Sequence, residues 1–377
     1  MNIAILGLGT IGSGVYELLK GREDIKVKRI LDIRCWLDGM TTDIADIVND
    51  ESIECVVETM GGIHPAREYA LKCINAGKCY VSANKLLISA CAEELSAAAR
   101  EHGAALLFGA ACGGGIPYLA SMAQARSIDP ITSAGGILNG TTNFILDKIF
   151  SEGVNYSAAL QEAQRLGYAE RDPSSDVDGL DTLRKLILCC AVGFGKLLRE
   201  EDICVSGISH LNNTDIQYAK KKNGLIRLVA SASQNDAGEI EAYVLPRLVS
   251  EGSLEAGIRT NINLARYSGE KMGEFTFCGQ GAGKLPTASN ILRDLDAIRL
   301  NPTSSMLPEG LISAKPANKC ELRFYVRLPK EKAGALNGFA QSCEAQDDCV
   351  LFETKPMTLP TLFEALKGID DKFIMIL

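Results

Sequence analysis

The 377-residue sequence lacks several features that mark other classes of protein. Lys and Arg are outnumbered by Asp and Glu, 39 to 47, and a net charge of −8 gives no basic surface for nucleic acid or an anionic membrane. No apolar run approaches the ~18 residues of a membrane span, and residues 1–6 form a strand-like stretch with no leader pattern. We therefore expect a cytoplasmic protein whose partners are small molecules, not nucleic acid or membrane.

The cysteines and histidines also form no recognisable catalytic or metal-binding motif. The thirteen cysteines include no C-x-x-C pair, and the three histidines stand at no metal-ligand spacing to them. The adjacent Cys189 and Cys190 lie in an apolar helical pattern, for which packing is a simpler interpretation than redox chemistry. We expect most thiols to be reduced and buried.

The order of apolar runs predicts an α/β fold in three parts. Residues 1–128 alternate β-branched runs with helical patterns, which predicts a Rossmann-type doubly wound parallel sheet. Residues 129–278 predict an α+β domain with a mixed or antiparallel sheet, 279–310 a segment returning to the first domain, and 319–377 a small C-terminal unit. The predicted strands are 2–6, 27–31, 55–59, 79–83, 105–108, 225–233, 241–248, 262–267, 274–278, 321–328, 349–353 and 372–377; the helices of the first part are 12–20, 65–76 and 91–100.

A glycine-rich turn, Gly7-Leu8-Gly9-Thr10-Ile11-Gly12, follows the first predicted strand and opens a helix. Such glycines let the backbone approach a pyrophosphate at a helix N-terminus, although a ligand-free turn is the alternative. Asp32, 20 residues beyond Gly12, would hold the ribose 2′-hydroxyl of NAD, whereas Arg34 would meet the 2′-phosphate of NADP. The residues favour NAD slightly and leave NADP open.

Two further patterns carry charged side chains. Asn84-Lys85 follows a predicted parallel strand, at the end where open α/β sheets bind ligands, although a lone lysine is more often solvated. Asp181 and Lys185 are spaced i, i+4 on one helix face and can offer a substrate a positioned acid and base. The acid-rich run before them lacks the spacing of a calcium loop, and a solvated loop that caps a helix is the other alternative.

Taken in order, the motifs resemble the homoserine dehydrogenase family over about residues 1 to 300. The resemblance rests on the glycine-rich turn, Gly-Gly-x-x-Pro-Ala at 61–66, Ala83-Asn84-Lys85, Gly115-Ile116-Pro117, the run 138–145, the run 167–185, Ser206-Gly207-Ile208 and the glycine-rich segment at 279–283.

The resemblance implies the interconversion of aspartate 4-semialdehyde and homoserine with NAD or NADP, in a homodimer built through the second domain's sheet. It implies that Lys85 and Lys185 are catalytic, with Lys185 as the proton donor. The remaining implied site residues fall into two groups: Thr141, Tyr168, Glu170, Asp176 and Asp181 around the amino-acid substrate, and Gly7, Gly9, Thr10, Ile11, Gly12, Asp32, Arg34, Asn84, Lys85, Gly281 and Gly283 at the cofactor.

The sequence departs from the family in two places. A Glu of the loop that supplies a monovalent cation site is replaced by Gly109, which leaves open whether backbone carbonyls near Cys112 and Gly114 still bind a cation. The tail from Glu321 resembles an ACT domain, with Ala333-Gly334-Ala335-Leu336 at its first strand-to-helix turn, and is expected to be one strand short of βαββαβ.

Two other functions are weighed against this one. An aspartate dehydrogenase would leave the pattern from Tyr168 to Lys185 unexplained. A catalytically silent nucleotide-binding regulator would agree with Gly109 and the short tail, but not with the presence of both Lys85 and Lys185. Because the motifs with assigned roles end before residue 300, we expect the tail to be unnecessary for the chemistry.

Overall fold

The computed structural model describes residues 1–34 and 39–377. It divides into two compact units, one of Met1–Pro130, Ile187–Leu197 and Gly279–Ser313, the other of Ile131–Leu186, Leu198–Cys278 and Ala314–Leu377. Each unit is described by itself. In the part of the chain so described, no helix combines the length and apolar character needed to cross a membrane.

The elements alternate along the chain, and they are numbered here in chain order. The strands are β1 Asn2–Leu6, β2 Lys26–Leu31, β3 Met40–Thr41, β4 Cys55–Glu58, β5 Cys79–Ser82, β6 Leu106–Leu107, β7 Ile131–Ile137, β8 Lys196–Leu197, β9 Cys204–Val205, β10 Gly224–Gln234, β11 Ile240–Ser250, β12 Ile262–Gly269, β13 Gly273–Gln280, β14 Ile312–Ser313, β15 Glu321–Leu322, β16 Phe324–Pro329, β17 Ala340–Ala345, β18 Cys349–Thr354, β19 Met357–Thr358 and β20 Phe373–Ile376. The α-helices are α1 Thr10–Leu18, α2 Ala45–Val48, α3 Ala66–Asn75, α4 Lys85–Glu101, α5 Tyr118–Arg126, α6 Gly140–Glu152, α7 Tyr156–Arg165, α8 Ser174–Val177, α9 Leu180–Phe194, α10 Asn213–Lys221, α11 Lys284–Leu300 and α12 Leu359–Ala365.

The first unit contains the predicted doubly wound sheet, with strand order β3-β2-β1-β4-β5-β6. The pairings from β3 to β6 are parallel, and β4 and β5 are buried along their whole length. Helices cover both faces of a parallel sheet, so its strands consist of continuous apolar residues. This pattern is why these strands could be predicted from the sequence. β3 was not predicted, because two residues give no pattern, and α4 begins at Lys85 rather than at the predicted residue 91.

The segment 279–310, predicted to return to the first domain, lies within this unit. Its helix α11 packs on α1 at Gly14, where a Cβ would come within 2.9 Å of the Lys284 carbonyl oxygen. Lys284 Nζ also lies 2.6 Å from Glu17 Oε2. A larger residue than glycine at position 14 would therefore push the two helices apart.

The second unit is built on one large mixed sheet with strand order β13-β12-β7-β10-β11-β20-β16-β18-β17, in which β9 also pairs with β11. β10 and β11 form a long antiparallel pair, from Gly224 opposite Ser250 to Gln234 opposite Ile240. The strands predicted at 225–233, 241–248, 262–267 and 274–278 fall within β10 to β13. The mixed or antiparallel sheet predicted for this part of the chain is therefore observed as a mixed one, because β11 pairs parallel with β9 and β20.

The tail differs from its prediction in two ways. Four of its strands, β16, β17, β18 and β20, belong to the large sheet, where one fewer was expected. The additional strand is β17, an edge strand with mostly exposed residues and no apolar alternation, which the sequence did not reveal. The reduced element is the first helix, which is only a 3-10 segment, Lys330–Leu336. By its contacts the tail belongs to the second unit, unlike the separate unit predicted at 319–377, because β20 pairs with β11 and both contribute to one apolar core.

Candidate active site

In the first unit, the glycine-rich turn joins β1 to α1. Gly7 has φ +90°, and a Cβ at Gly12 would collide with the Gly7 carbonyl oxygen. A Cβ at Gly9, by contrast, would meet no described atom within 4 Å. α1 starts at Thr10 with no side-chain cap on its amides and no acid in its first turn. The turn thus presents open backbone and a positive helix end, which fits a pyrophosphate.

Asp32 is directed toward this turn. Its Oδ2 accepts a hydrogen bond of 2.8 Å from the amide of Leu8, and its Oδ1 accepts one of 3.0 Å from the amide of Arg34. The Leu8 amide is the main reason that the pKa of Asp32 lies below its usual value. The side chain of Asp32 is 10% exposed and that of Arg34 71% exposed. A carboxylate and an exposed guanidinium therefore lie side by side at the end of β2.

A buried carboxylate, Glu58, organises the next strand ends. Glu58 Oε1 accepts from the amides of Met60 and Gly61 at 2.7 and 3.2 Å, and Oε2 accepts from Ser82 Oγ at 2.7 Å. Burial raises the pKa of Glu58, and these donors oppose the shift. Glu58 therefore joins the carboxyl ends of β4 and β5.

Asn84 and Lys85 follow directly after β5. Asn84 Oδ1 accepts from the Leu87 amide at 3.1 Å and so caps α4, while Nδ2 donates to the Gly62 carbonyl at 2.6 Å. Lys85 is the first residue of α4, where the helix dipole disfavours a cation. A lysine at this unfavourable position is a stronger functional signal than a lysine elsewhere on a helix.

Gly281 and Gly283 lie at the start of α11 in the same unit. Gly283 has φ +120° and is the N-cap residue of α11. The carbonyl of the preceding Gln280 accepts from the Gly115 amide at 3.1 Å, which ties this segment to the loop before α5. The structure thus places all of the predicted cofactor residues in the first unit.

In the second unit, Asn139 connects the predicted acidic residues. As the N-cap of α6, it accepts through Oδ1 from the Thr142 amide at 2.8 Å. Its Nδ2 donates to Asp176 Oδ1 at 2.7 Å and to Asp181 Oδ2 at 2.8 Å. One amide therefore brings together two carboxylates from α8 and α9.

Lys185 lies one turn beyond Asp181, as the spacing predicted. Its Nζ is 2.7 Å from Asp181 Oδ2 and donates to the Leu138 carbonyl at 2.6 Å. The side chains of Lys185 and Asp181 are 10% and 8% exposed. Asn263 Nδ2 donates to the same carbonyl at 2.8 Å. The lysine is therefore held in a fixed place rather than solvated.

The two carboxylates differ in their surroundings. Asp176 is half-buried, and burial, followed by the negative charge of Asp181, raises its pKa. Asn139 and the positive charge of Lys185 oppose this shift. Two close carboxylates with one lysine leave a local excess of negative charge, which suits a cationic ligand group such as an ammonium.

Of the remaining predicted substrate residues, Thr141 lies in α6, and Tyr168 and Glu170 lie on the loop between α7 and α8. Thr141 Oγ1 donates to the Tyr168 carbonyl at 2.6 Å, and the Tyr168 ring lies 4.9 Å from the ring of Phe144. Glu170 is exposed, and its backbone carbonyl accepts from Gln164 Nε2 at 3.1 Å. Thr141 therefore ties the loop to α6, while the side chain of Glu170 on that loop is exposed.

Sequence reasoning missed Asn139, Asn263 and Glu58 as members of the site. Asn139 did carry a signal, because it precedes a helical pattern where a cap is expected. Glu58 carried another, since a charged residue closes an otherwise apolar buried strand. Nothing in the local sequence marks Asn263, which acts through a carbonyl 125 residues away.

The loop predicted to supply a cation site has two backbone carbonyls that already accept hydrogen bonds. The carbonyls of Gly114 and Ile116 accept hydrogen bonds from Asn290 Nδ2 at 2.8 and 3.1 Å. In the described residues, no group of three or more His, Cys, Asp or Glu side chains could hold a metal. The predicted backbone ligand at Gly114 is thus already engaged by a side chain.

A doubly wound sheet with this glycine-rich turn, together with a fixed lysine beside paired carboxylates, defines a nicotinamide-dependent dehydrogenase. Comparison with known proteins narrows the class. A family model described as the NAD-binding domain of homoserine dehydrogenase matches residues 7–109, and one described as homoserine dehydrogenase matches residues 117–295. The chain belongs to the homoserine dehydrogenase family, and it is an NAD(P)-dependent oxidoreductase acting on a CH-OH group.

Individual relatives agree with this assignment. The homoserine dehydrogenase of a Synechocystis strain is 38% identical over 357 residues, 87% of this chain and 82% of the relative. A crystal structure of a homoserine dehydrogenase from Thiobacillus denitrificans is similar with a TM-score of 0.87 at 28% identity, covering 100% of this chain and 98% of the other. A hyperthermophilic archaeal homoserine dehydrogenase in complex with NADPH has a TM-score of 0.68 at 25% identity, covering 79% of this chain and 97% of the other.

Proposed function

We propose that the chain interconverts L-aspartate 4-semialdehyde and L-homoserine, with the chemistry at Lys185 and the substrate's ammonium group at Asp176 and Asp181. The observation that carries this proposal is the geometry around Asn139, which holds both carboxylates beside Lys185. When bound, the nicotinamide cofactor supplies or accepts the hydride.

Lys185 acts as the proton donor to the aldehyde oxygen in the direction of reduction. A negative charge develops on that oxygen, and a fixed ammonium group stabilises it better than mobile water does. Asp181 and the Leu138 carbonyl fix Lys185 Nζ from two sides. In the reverse direction the same nitrogen accepts the hydroxyl proton of homoserine.

Asp176 and Asp181 orient the substrate. Because burial and mutual repulsion make the two carboxylates unfavourable together, a substrate ammonium that neutralises part of this charge is bound strongly. Thr141 holds the loop that contains Tyr168 against α6, so that this loop closes one side of the same region. Glu170, which is exposed, adds negative charge at its rim.

Lys85 is proposed as a second catalytic lysine, with its support in the first unit. Glu58 and Asn84 fix the start of α4, so the position of Lys85 is set by a buried hydrogen-bond network. For the cofactor, Asp32 supports NAD over NADP, although the exposed Arg34 beside it allows some use of NADP.

A homodimer is proposed on the basis of the large sheet of the second unit. This sheet ends at β13, whose residues are mostly exposed and include Phe275, 45% exposed and 5.5 Å from the ring of Tyr267. An exposed edge strand with an apolar side chain favours association. Light scattering on the purified chain should give twice the chain mass, and a monomer at micromolar concentration would contradict the proposal.

The reaction is tested by following reduced nicotinamide in its absorbance band. L-Homoserine with NAD or NADP should produce it, while L-aspartate with either cofactor should not. Turnover of L-aspartate would favour an aspartate dehydrogenase. Binding of the cofactor without turnover of either amino acid would favour the silent regulator.

A further inference from the structure

Helix α11 presents two polar side chains, Asn290 and Asp294, to the loop between β6 and α5. The two residues are four apart and so share one helix face. Asn290 is fully buried and Asp294 is 2% exposed. Neither residue has a role in the proposed reaction, yet both contact the loop that should hold a cation.

The Asn290 amide occupies the point on which two loop carbonyls converge. Nδ2 lies 2.8 Å from the Gly114 oxygen and 3.1 Å from the Ile116 oxygen. An amide NH₂ has two hydrogens, one for each carbonyl. A flipped amide would place Oδ1 beside the same two carbonyl oxygens, and three acceptors would then repel one another. The orientation with Nδ2 toward the carbonyls is therefore the favourable one.

The amide therefore stabilises the two carbonyls electrostatically, as a bound cation would. A monovalent cation in such a loop would neutralise carbonyl dipoles that point at one another, and two N–H groups do the same without a net charge. Among the described residues, Asn290 Oδ1 has no hydrogen-bond partner. An unsatisfied buried acceptor is unfavourable, so the two donor contacts are the polar contacts that hold the amide in this orientation.

The start of the loop is also bonded to α11, but there the loop donates and the helix side chain accepts. Gly109, which stands where the family has a Glu, donates its amide hydrogen to Asp294 Oδ2 at 2.8 Å. A Cβ at residue 109 would lie only 2.9 Å from Asp294 Oδ1 and 3.3 Å from Oδ2. A Glu at position 109 would therefore not fit without moving Asp294.

We infer that Asn290 replaces the cation in this chain, so that the loop before α5 is held by a covalently attached donor and needs neither Na⁺ nor K⁺. The inference concerns the first unit alone and does not rest on the proposed reaction. It explains together the missing Glu and the engaged carbonyls.

The first test uses the unaltered protein. The midpoint of thermal unfolding is measured in NaCl, KCl and tetramethylammonium chloride at equal ionic strength, because the large organic cation cannot enter a carbonyl site. The three midpoints should agree, and ²³Na relaxation should show no saturable binding. A saturable rise in the midpoint with Na⁺ or K⁺ alone would overturn the inference, whether or not the enzyme turns over homoserine.

The second test is Asn290→Ala, with Ser289→Ala on the neighbouring position of α11 as the matched control. Asn290→Ala should lower the midpoint in tetramethylammonium chloride by roughly 3–10 °C, and Na⁺ or K⁺ should restore part of this loss in a saturable manner. Ser289→Ala should show no ion-specific change. A folded Asn290→Ala that responds equally to all three salts would show that the amide only fills space.

Asn290→Asp provides a second variant in case the alanine protein does not fold. Its carboxylate would face the Gly114 and Ile116 carbonyls and should make folding depend on Na⁺ or K⁺. Stability of Asn290→Asp equal to that of the wild type in tetramethylammonium chloride would count against the inference. The measurement on the wild type decides the question even if neither variant folds.

Discussion

At the scale of single residues, cofactor choice depends on Asp32, which contacts the glycine-rich turn through the Leu8 amide. Asp32→Ser should lower kcat/KM for NAD about tenfold, equivalent to about 1.4 kcal/mol, and reduce discrimination against NADP. Part of the loss would come from the turn, because serine cannot reach the amide as the carboxylate does.

Asp32→Asn separates the two effects, since its amide oxygen can still accept from Leu8 without a negative charge. This variant should relax discrimination against NADP with a smaller loss of NAD use. A wild-type enzyme that already prefers NADP strongly would show that Arg34 determines the cofactor preference, and the predicted preference for NAD would be wrong.

Asp176 links stability to pH. Its pKa is raised in the folded protein by burial and by Asp181, so folding favours its protonated form. The stabilisation from that proton is present below the unfolded pKa of ~3.9 and is lost as pH rises through the folded pKa. Asp176→Asn lacks this loss and should melt at a higher temperature than the wild type above neutral pH, by a few degrees.

The difference between Asp176→Asn and the wild type should shrink as the pH falls toward 4. The same substitution should raise KM for homoserine, because a charge that binds the ammonium is removed. Thermal melts at several pH values test the prediction on stability. A variant destabilised equally at each pH would show that the Asn139 hydrogen bond, not the carboxylate charge, determines the effect of the substitution.

The sequence predicted part of the residue-scale picture. Asp181 and Lys185 were paired correctly because helical spacing is local. Asn139 was seen in its motif, but its amide contacts residues 37 and 42 positions away, which no local pattern shows. Asn290 could not be predicted at all, because its role depends on how α11 meets a loop over 170 residues earlier.

At the scale of elements, β16 of the tail and α10 are joined by a buried ion pair. Arg327 Nε lies 3.0 Å from Asp215 Oδ1, their side chains being 5% and 0% exposed. Tyr325 Oη also donates to Asp215 Oδ1 at 2.7 Å, and Arg327 Nη2 donates to the His210 carbonyl at 2.6 Å. Burial raises the pKa of Asp215, and Arg327 opposes that shift.

Arg327→Met should therefore lower the free energy of unfolding by about 3–5 kcal/mol, because it leaves Asp215 buried without its partner. The double variant Asp215→Asn/Arg327→Met should lose less than the single one, since no charge remains to be paired. Urea unfolding followed by circular dichroism measures both. A double variant that loses more than Arg327→Met would show that the hydrogen bonds, not the charge, are decisive.

This pairing also bears on the tail's predicted dispensability. Tail residues such as Phe324 and Ile376 share an apolar core with Tyr243 and Leu245 of β11. Removing residues from 320 onward would expose that core and leave Asp215 without its ion-pair partner Arg327. The prediction that the tail is unnecessary for the chemistry stands, but a truncation tests it only if the shortened chain remains folded.

Among the elements, those with a buried apolar pattern were predicted and those without were not. β1, β4 and β5 were located within one residue because their runs are continuous. β3 is too short and β17 too exposed to carry a pattern. Where the sequence predicted a strand-to-helix turn at 333–336, the structure has the 3-10 segment Lys330–Leu336, since so short a pattern does not distinguish a 3-10 helix from an α-helix.

At the scale of the whole molecule, the predicted site residues fall in two units. The first unit contains the predicted cofactor residues, and the second contains the proposed reacting lysine with its carboxylates. Helix α9 runs through this division, with Asp181 and Lys185 in the second unit and its residues from Ile187 in the first. The change from parallel to antiparallel patterns near Pro130 is visible in the sequence, but nothing in the sequence indicated that Ile187–Leu197, predicted in the second domain, would belong to the first unit.

The central claim is that Lys185 stabilises the charge that develops on the substrate oxygen. Steady-state kinetics of Lys185→Ala with L-homoserine tests it most directly. An interaction made mainly in the transition state lowers kcat far more than it raises KM. The account predicts a loss on the order of 100-fold or more in kcat, with cofactor binding retained and little recovery in Lys185→Arg. A folded Lys185→Ala enzyme with nearly normal kcat would contradict it and shift the proton transfer to Lys85.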